Sequence, residues 1–407
     1  MSNDAGGYPM PGPPPPGYPP PGYPPPSGFP PPGYGPPPGF GPPPGYGAPP
    51  PGYGPPPGYP PPGYPPPGYP PPGYFPAGYG PPALKPGVIP LRPLSLSDIF
   101  NGAVAFIRAN PKASLGLTAI VVVAAQLLAL ILSLGPLAVS GELQPTLAGE
   151  EVSTGVLIGS SASSLAGAVA TWLSSILLSG MLTVVVGRAV FGTSITINEA
   201  WQRLRGRLWA LVGFTILEVM AIAVVPGAVW AGITFGVGFG INGAAGAVLG
   251  VALGLAWAAL AIYLWTMLSF APSIIVLERL EIFPAISRSF KLVRNDFWRV
   301  FGILLLGGIV AAVVAGAITV PFSFGGQIML MAATSTLVTL AALVLLSVGS
   351  AIGQIITAPF SAGVVVLLYT DRRIRSEAFD LVLQTGAGFG PGAPADSTDH
   401  LWLTRQA

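Results

Sequence analysis

The sequence predicts an all-α integral membrane protein. Six transmembrane helices form three repeated hairpins, each preceded by a cytoplasmic amphipathic helix, behind a disordered Pro/Gly/Tyr-rich N-terminal arm. Three observations carry this prediction. Charged residues make up only 8% of the 407 positions while hydrophobic residues reach 51%. A soluble domain needs roughly 25% charge to coat its surface. The chain holds 56 glycines and 52 prolines, and 41 of those prolines fall in residues 1–90. Beyond residue 90 the charges sit in bands separated by long apolar blocks. Two opposite compositions are therefore joined end to end: an arm (1–90), a membrane domain (91–380) and a short disordered C-terminal tail (381–407).

The arm comes first. Residues 5–84 carry no charge and repeat Pro-Pro-Pro-Gly-Tyr with small variations. Proline removes backbone donors and glycine raises the entropy of ordering, so neither helix nor sheet is expected. Short polyproline II stretches broken at each glycine are expected instead. The simplest role is a solvated tether. The tyrosines suggest a second one: Tyr18, Tyr23, Tyr34, Tyr46, Tyr53, Tyr59, Tyr64, Tyr69, Tyr74 and Tyr79 recur as candidate stickers. Such an arm gains avidity from many weak contacts, with a partner or with itself.

Next come the membrane blocks. Residues 113–187 contain no base and only Glu142, Glu150 and Glu151; residues 208–277 contain one charge, Glu218; residues 300–370 contain none. A crossing takes about 20 apolar residues, so each block holds two helices and a turn. The expected spans are 113–139, 163–186, 208–230, 245–270, 301–322 and 337–369. Their apolar runs are continuous rather than alternating, which favours helices over a barrel.

All 17 Lys and Arg fall before span one, between two and three, between four and five, or after six. With an even number of spans these places share one side, and the positive-inside rule makes it cytoplasmic. The expected location is the cell (plasma) membrane, with both termini in the cytoplasm and the acidic 140–160 loop outside.

A short amphipathic segment precedes each block. The apolar stripes are Leu96, Ile99, Ala103 and Ile107; then Ile197, Trp201, Leu204 and Leu208; then Ile282, Ile286, Phe290, Val293 and Phe297. Thr196 with Glu199 reads as a capping box, and Pro284 suits a first helical turn. Two placements are open: in the plane of the membrane, or packed on the bundle. The first would turn Arg203, Arg205, Arg207, Arg288, Lys291 and Arg294 toward anionic lipid headgroups. The bilayer is thus the expected partner. A net charge of +2 gives no reason to expect nucleic acid.

Inside the spans, Glu218 stands out, because a carboxylate in hydrocarbon is costly and often functional. Gln126 and Gln354 are its expected companions, with Ser175, Ser179 and Thr171. The alternative is an interhelical hydrogen-bond clamp without ligand. Gly246, Gly250 and Gly254 form one small-residue ridge, and Gly308, Ala312 and Gly316 a second; both are read as packing surfaces within the chain.

No catalytic constellation is visible. The one histidine, His400, lies in the tail, cysteine is absent, and no catalytic or nucleotide motif occurs in context. Neither cofactor nor metal is expected. Asp98, Glu199, Glu278, Glu281, Asp296 and Asp371 lie beside bases and read as surface ion pairs. The N-terminus shows no basic-then-apolar leader, so no cleavable signal peptide is expected.

Three segments carry a family resemblance: Ile282–Gly302 (IFPAISRSFKLVRNDFWRVFG), Leu94–Phe100 (LSLSDIF) and Asp371–Asp380 (DRRIRSEAFD). Together they resemble the membrane domain attached to some bacterial glycerophosphoryl diester phosphodiesterases. They resemble still more the stand-alone proline- and glycine-rich membrane proteins of high-GC Gram-positive bacteria that carry it. The resemblance covers about residues 90–380 and supports the topology. The catalytic barrel of those phosphodiesterases has no counterpart here, so no site residue carries over. The expected function is a non-enzymatic multi-pass scaffold whose arm recruits partners or self-associates. The alternative is a permease or lipid-handling protein with a polar site around Glu218.

Overall fold

The computed structural model describes residues 87–141, 154–333, 335–387 and 399–403. The arm with its tyrosines, the acidic loop and Arg405 lie outside the described residues. Among those described, every regular element is helical. The helices are α1 (Leu96–Ala109), α2 (Leu117–Ser140), α3 (Thr154–Val190), α4 (Ile197–Leu204), α5 (Leu208–Val219), α6 (Val225–Gly240), α7 (Gly243–Leu268), α8 (Ala271–Leu277), α9 (Ile282–Val293), α10 (Phe297–Met331), α11 (Thr336–Glu377) and α12 (Phe379–Ala387). Six uninterrupted helical stretches are long and apolar enough to cross a membrane.

The helices overrun the expected spans. α3 begins at Thr154 rather than Ser163, helix continues past Trp230 to Gly240, and α10 continues past Phe322 to Met331. Counting apolar residues against bilayer thickness sets a minimum for a helix, not its end. Pro136, Pro321 and Pro359 all lie within helices. Apolar helices tolerate such prolines because neighbouring groups re-satisfy the freed carbonyl.

Consecutive long helices pack in pairs: α2 on α3, α6 on α7, and α10 on α11. α11 also packs on α1, α2 and α3. Half of the most apolar stretch of α3 is buried by protein, against 6% for α7. The α6–α7 pair therefore holds together mainly through its own seam. A Cβ on Gly246 would come within 2.6 Å of Gly238 Cα, and one on Gly250 within 2.8 Å of Thr234 Cγ2. Here the small-residue ridge works within the chain, as its spacing suggests. Pro226 has no N–H to give the Ile222 carbonyl one turn earlier. Trp257 Nε1 donates to that carbonyl at 2.7 Å, and Trp230 Nε1 donates to Gly250 O at 2.8 Å.

The second ridge differs from expectation. A Cβ on Gly308 or Gly316 would meet nothing within 4 Å. The α10–α11 seam instead sets Gly349 against Phe322 and Gly353 against Thr319, while Gly307 meets Val364. Gly307 and Gly308 lie 100° apart around the helix, so the face one residue away is the packed one.

The three amphipathic helices form, and each buries part of its apolar face in protein, while Leu96, Trp201 and Phe283 stay exposed. α1 has a Ser95–Asp98 capping box and buries Ile99, Ala103 and Phe106. Phe106 and Ala103 close on Gly363 of α11. α4 has the Thr196–Glu199 box and buries Ala200 and Leu204. α9 carries Pro284 in its first turn and buries Ala285, Ser289, Leu292 and Val293. This face is rotated from the expected stripe, because small Ala285 and Ser289 permit close approach; Ser289 Oγ donates to Met267 O at 2.6 Å. All three helices thus pack on the bundle, each with an apolar residue still exposed.

The domain boundaries also shift. Val88 and Ile89 are buried, and Val88 N–H donates to Ala189 O at 3.2 Å. Gly87 permits that approach, since a Cβ there would sit 2.2 Å from Val190 O. Residues 87–90 therefore belong to the packed body. At the other end α12 runs to Ala387, and a 3₁₀ turn at Asp399–Trp402 buries Trp402. Trp402 meets Phe191, Tyr369 and Phe379, so part of the tail expected to be disordered is docked.

Trp257→Phe should cost about 1 kcal/mol, within the range measured for hydrogen bonds between membrane helices. Gly250→Leu should cost more by forcing α6 from α7. Thermal melting in detergent checks both, and two variants as stable as wild type would show that this seam does not hold the pair.

Candidate functional site

Charged side chains from three of the four basic segments converge in one layer, which the segment before α1 joins through the backbone of Leu94. At its centre is Asp371, fully buried near the end of α11. Its Oδ1 accepts from Leu94 N–H at 2.8 Å, its Oδ2 from Arg299 Nη2 at 3.0 Å, and Arg375 Nε reaches both oxygens at 2.9 and 3.0 Å. The Leu94 carbonyl in turn accepts from Arg299 at 2.9 Å and Arg375 at 3.0 Å. Both backbone groups of the residue preceding the α1 cap are therefore held by α10 and α11.

A second cluster surrounds Glu278, at the end of α8. It accepts from Tyr369 Oη and pairs with Arg288 Nε. Arg288 Nη2 also reaches Glu377 at 2.8 Å, and Arg373 Nε reaches Glu377 at 3.0 Å. The Arg373 guanidinium lies 4.0 Å over the Phe379 ring and donates to Trp402 O at 3.1 Å. Arg372 pairs with Asp296 and donates to Leu292 O at 3.0 Å. Asp399 bridges Arg188 at 3.1 Å and Arg203 at 2.7 Å.

This corrects the reading of Glu278 and Asp371 as surface pairs, whereas Asp98 does form an exposed pair, with Arg92. Glu278 and Asp371 are buried, as are Arg372 and Arg373. The physical reason is that Asp371 and Arg372–Arg373 continue the α11 helix out of its apolar run, so the bundle buries them. One signal was visible: Asp371 and Arg375 are spaced i,i+4 on one helix face.

Above this layer lies a cavity of about 370 Å³ between α2, α3, α8 and α11. Gln126 and Gln354 line it together with Thr171, Ser175 and Ser179. Ser174, Thr183, Ser269, Ser273 and Ser361 add more hydroxyls, and its lining has no charged side chain. Glu218 lies elsewhere. It is half-buried on α5, on the face that carries Leu211 and Phe214, and among the described residues no hydrogen bond or ion pair reaches it. The amides and the carboxylate read as companions are therefore separated: Gln126 and Gln354 line the cavity, and Glu218 does not. The cavity too had a sequence signal: Thr171, Ser175, Ser179 and Thr183 recur every fourth residue, one stripe of a helix.

The hydroxyl hydrogens are largely spent. Thr171 donates to Gly167 O, Ser175 to Trp172 O and Thr183 to Ser179 O, at 2.7–3.0 Å. Hydroxyls bonded back this way keep lone pairs for a ligand. The cavity therefore offers mainly acceptors, with amide donors from Gln126 and Gln354. Ser175, Ser179, Gln354 and Ser361 are exposed, so it opens sideways between helices.

The expected headgroup arginines divide. Arg288 is engaged by Glu278 and Glu377, and Arg203 by Asp399. Neither therefore presents its guanidinium outward as expected. Arg205, Lys291 and Arg294 are exposed, and Arg207 is half-exposed. No group of His, Asp and Glu suited to a metal occurs among the described residues.

Six apolar helices joined by a charged layer define a multi-pass helical membrane protein. No family model, curated protein or solved structure matches the chain.

Asp371→Asn should destabilise the protein by about 1.5–3 kcal/mol, since two half-exposed arginines lose their counter-charge. Lys291→Gln, at an exposed site, should change stability by less than about 0.5 kcal/mol. Thermal or denaturant unfolding in detergent compares them, and equal effects would refute a structural role for the Asp371 clamp.

Proposed function

We propose that this chain is a non-enzymatic, lipid-handling protein of the cell membrane, with both termini cytoplasmic. Its cavity takes the uncharged, hydroxyl-bearing end of a membrane lipid. The sideways-opening, charge-free cavity around Gln126 and Gln354 carries this reading. A lipid whose polar end has only hydroxyls and ester oxygens would give donors to the wall hydroxyls and accept from the glutamine amides. An ionised ligand would find no counter-charge there, and burying it would be costly. The reading moves the polar site away from Glu218.

Diacylglycerol is a suitable probe. In nanodiscs containing it, native mass spectrometry should show it retained by the full chain. The Gln126→Leu, Gln354→Leu double variant should retain about tenfold less, while Glu218→Gln should match wild type. Equal retention by wild type and the double variant would sink the proposal.

A second reading concerns the arm, and its repeat of aromatic stickers favours it. The arm recruits cytoplasmic partners or gathers copies of the chain, with the membrane domain as anchor. Deleting residues 1–84 should disperse a clustered fluorescent fusion without impairing insertion; an unchanged distribution would end this role.

Kinship with the membrane domain named above, and its three-fold repeat, belong with these proposals. The repeat has support in two places. α4 and α9 each end in one 3₁₀ turn, Arg205–Arg207 and Arg294–Asp296, and each passes into a long apolar helix with Trp at its second position.

A further inference from the structure

On the charged face, separate from the membrane cavity, lies a pocket of about 450 Å³ whose lining includes Arg203, Arg205, Arg207, Arg279, Gln202 and Asp399. Four guanidiniums there face two carboxylates, those of Glu199 and Asp399. Glu199 is committed to its own helix, accepting from Thr196 N–H at 2.9 Å. Asp399 is the acid that reaches the arginines, with Arg203 Nε at 2.7 Å and Arg188 Nη2 at 3.1 Å. It arrives on a separate piece of chain, the 3₁₀ turn anchored by Trp402. A carboxylate on a docked tail therefore already occupies part of an arginine-lined hollow.

Arg279 supplies an independent observation. Its φ is +59°, in the left-handed region that a residue with a Cβ avoids. Glycine would meet no such penalty there. Arg279 directly follows Glu278, the C-cap of α8, the position where a left-handed residue commonly ends a helix. Here it delivers a guanidinium to the pocket wall.

We propose that this pocket binds a phosphoryl group and that Asp399 is its built-in competitor. A phosphate monoester carries about −1.5 to −2 charges near neutral pH and three acceptor oxygens. That matches an excess of two positive charges and the fork geometry of arginine donors. Docking of the phosphoryl group and docking of the Asp399 turn oppose one another, so ligand binding releases the tail. Two sources carry this chemistry: free phosphate in solution and the phosphomonoester headgroup of phosphatidic acid. Exposed Trp209, two residues after Arg207 at the start of an apolar helix, brings the pocket within reach of a headgroup.

The test uses the full chain in nanodiscs, in two arms. The first measures inorganic phosphate binding by calorimetry with only zwitterionic lipid present. The second counts phosphatidic acid retained in native mass spectrometry. Arg279→Gly removes a guanidinium while relieving the left-handed backbone, so it should melt no lower than wild type. It should nonetheless weaken binding about tenfold. Asp399→Asn should tighten binding about tenfold, and added salt should weaken every variant. Binding in the first arm assigns free phosphate, and retention in the second alone assigns the headgroup; either supports the pocket. If Arg279→Gly folds and binds as wild type in both arms, or if Asp399→Asn binds no tighter, the proposal is overturned.

Discussion

The fold depends on one buried carboxylate. Asp371 lies where α11 leaves its apolar stretch, fully enclosed, and it ties Leu94, Arg299 and Arg375 together. Helices in hydrocarbon gain little from hiding apolar surface, since lipid is as apolar as their side chains. What fixes one helix against another must be polar contact or close van der Waals fit. Asp371 supplies the first by joining three segments far apart in sequence at one point. The apolar lengths of the helices then need only be compatible with one another, because their ends are already positioned.

Glu278 repeats that logic for other elements. It ends α8, meets Arg288 of α9 and accepts from Tyr369 of α11. Arg373 extends the cluster to the aromatic anchor Trp402. Each buried charge of this layer, Arg188, Glu278, Asp371, Arg372 and Arg373, meets an opposite charge. That pairing is what permits burial, since an isolated charge so deep would be costly. Where the network thins, packing thins with it. The α6–α7 pair lacks charged groups and relies on glycines and two indole donors along its own seam.

How legible was this from sequence? The number and rough position of the membrane helices follow from runs without charge, because hydrocarbon thickness is a strict ruler. The capping box at Thr196 and the first-turn proline at Pro284 are local rules and could be read directly. The Gly246 ridge was legible for the same reason. Depth was not legible. Asp371 and Arg92 look alike in a sequence, since both are charges beside an apolar run, yet one is enclosed and the other exposed. What separates them is the number of helices that meet there, a property of tertiary packing. Glu218 shows the opposite failure: a conspicuous charge drew the polar site toward itself, whereas the cavity formed around amides and hydroxyls of ordinary polarity. The four-residue recurrence of Thr171, Ser175, Ser179 and Thr183 held that information.

The cavity and the layer beneath it also limit one another. Ser273 of the cavity wall and Glu278 lie on the same short stretch of helix, and Val365 precedes Tyr369 by one turn. The inner end of the cavity therefore rests on the Glu278–Tyr369–Arg288 cluster. A route through that floor would have to part buried ionic contacts, whereas the side of the cavity already carries exposed Gln354 and Ser361. Traffic sideways into lipid breaks nothing; traffic downward breaks the network that holds the bundle together. On the proposed lipid-handling reading, the same ion pairs that set the fold favour a molecule that arrives from within the membrane over one that crosses it.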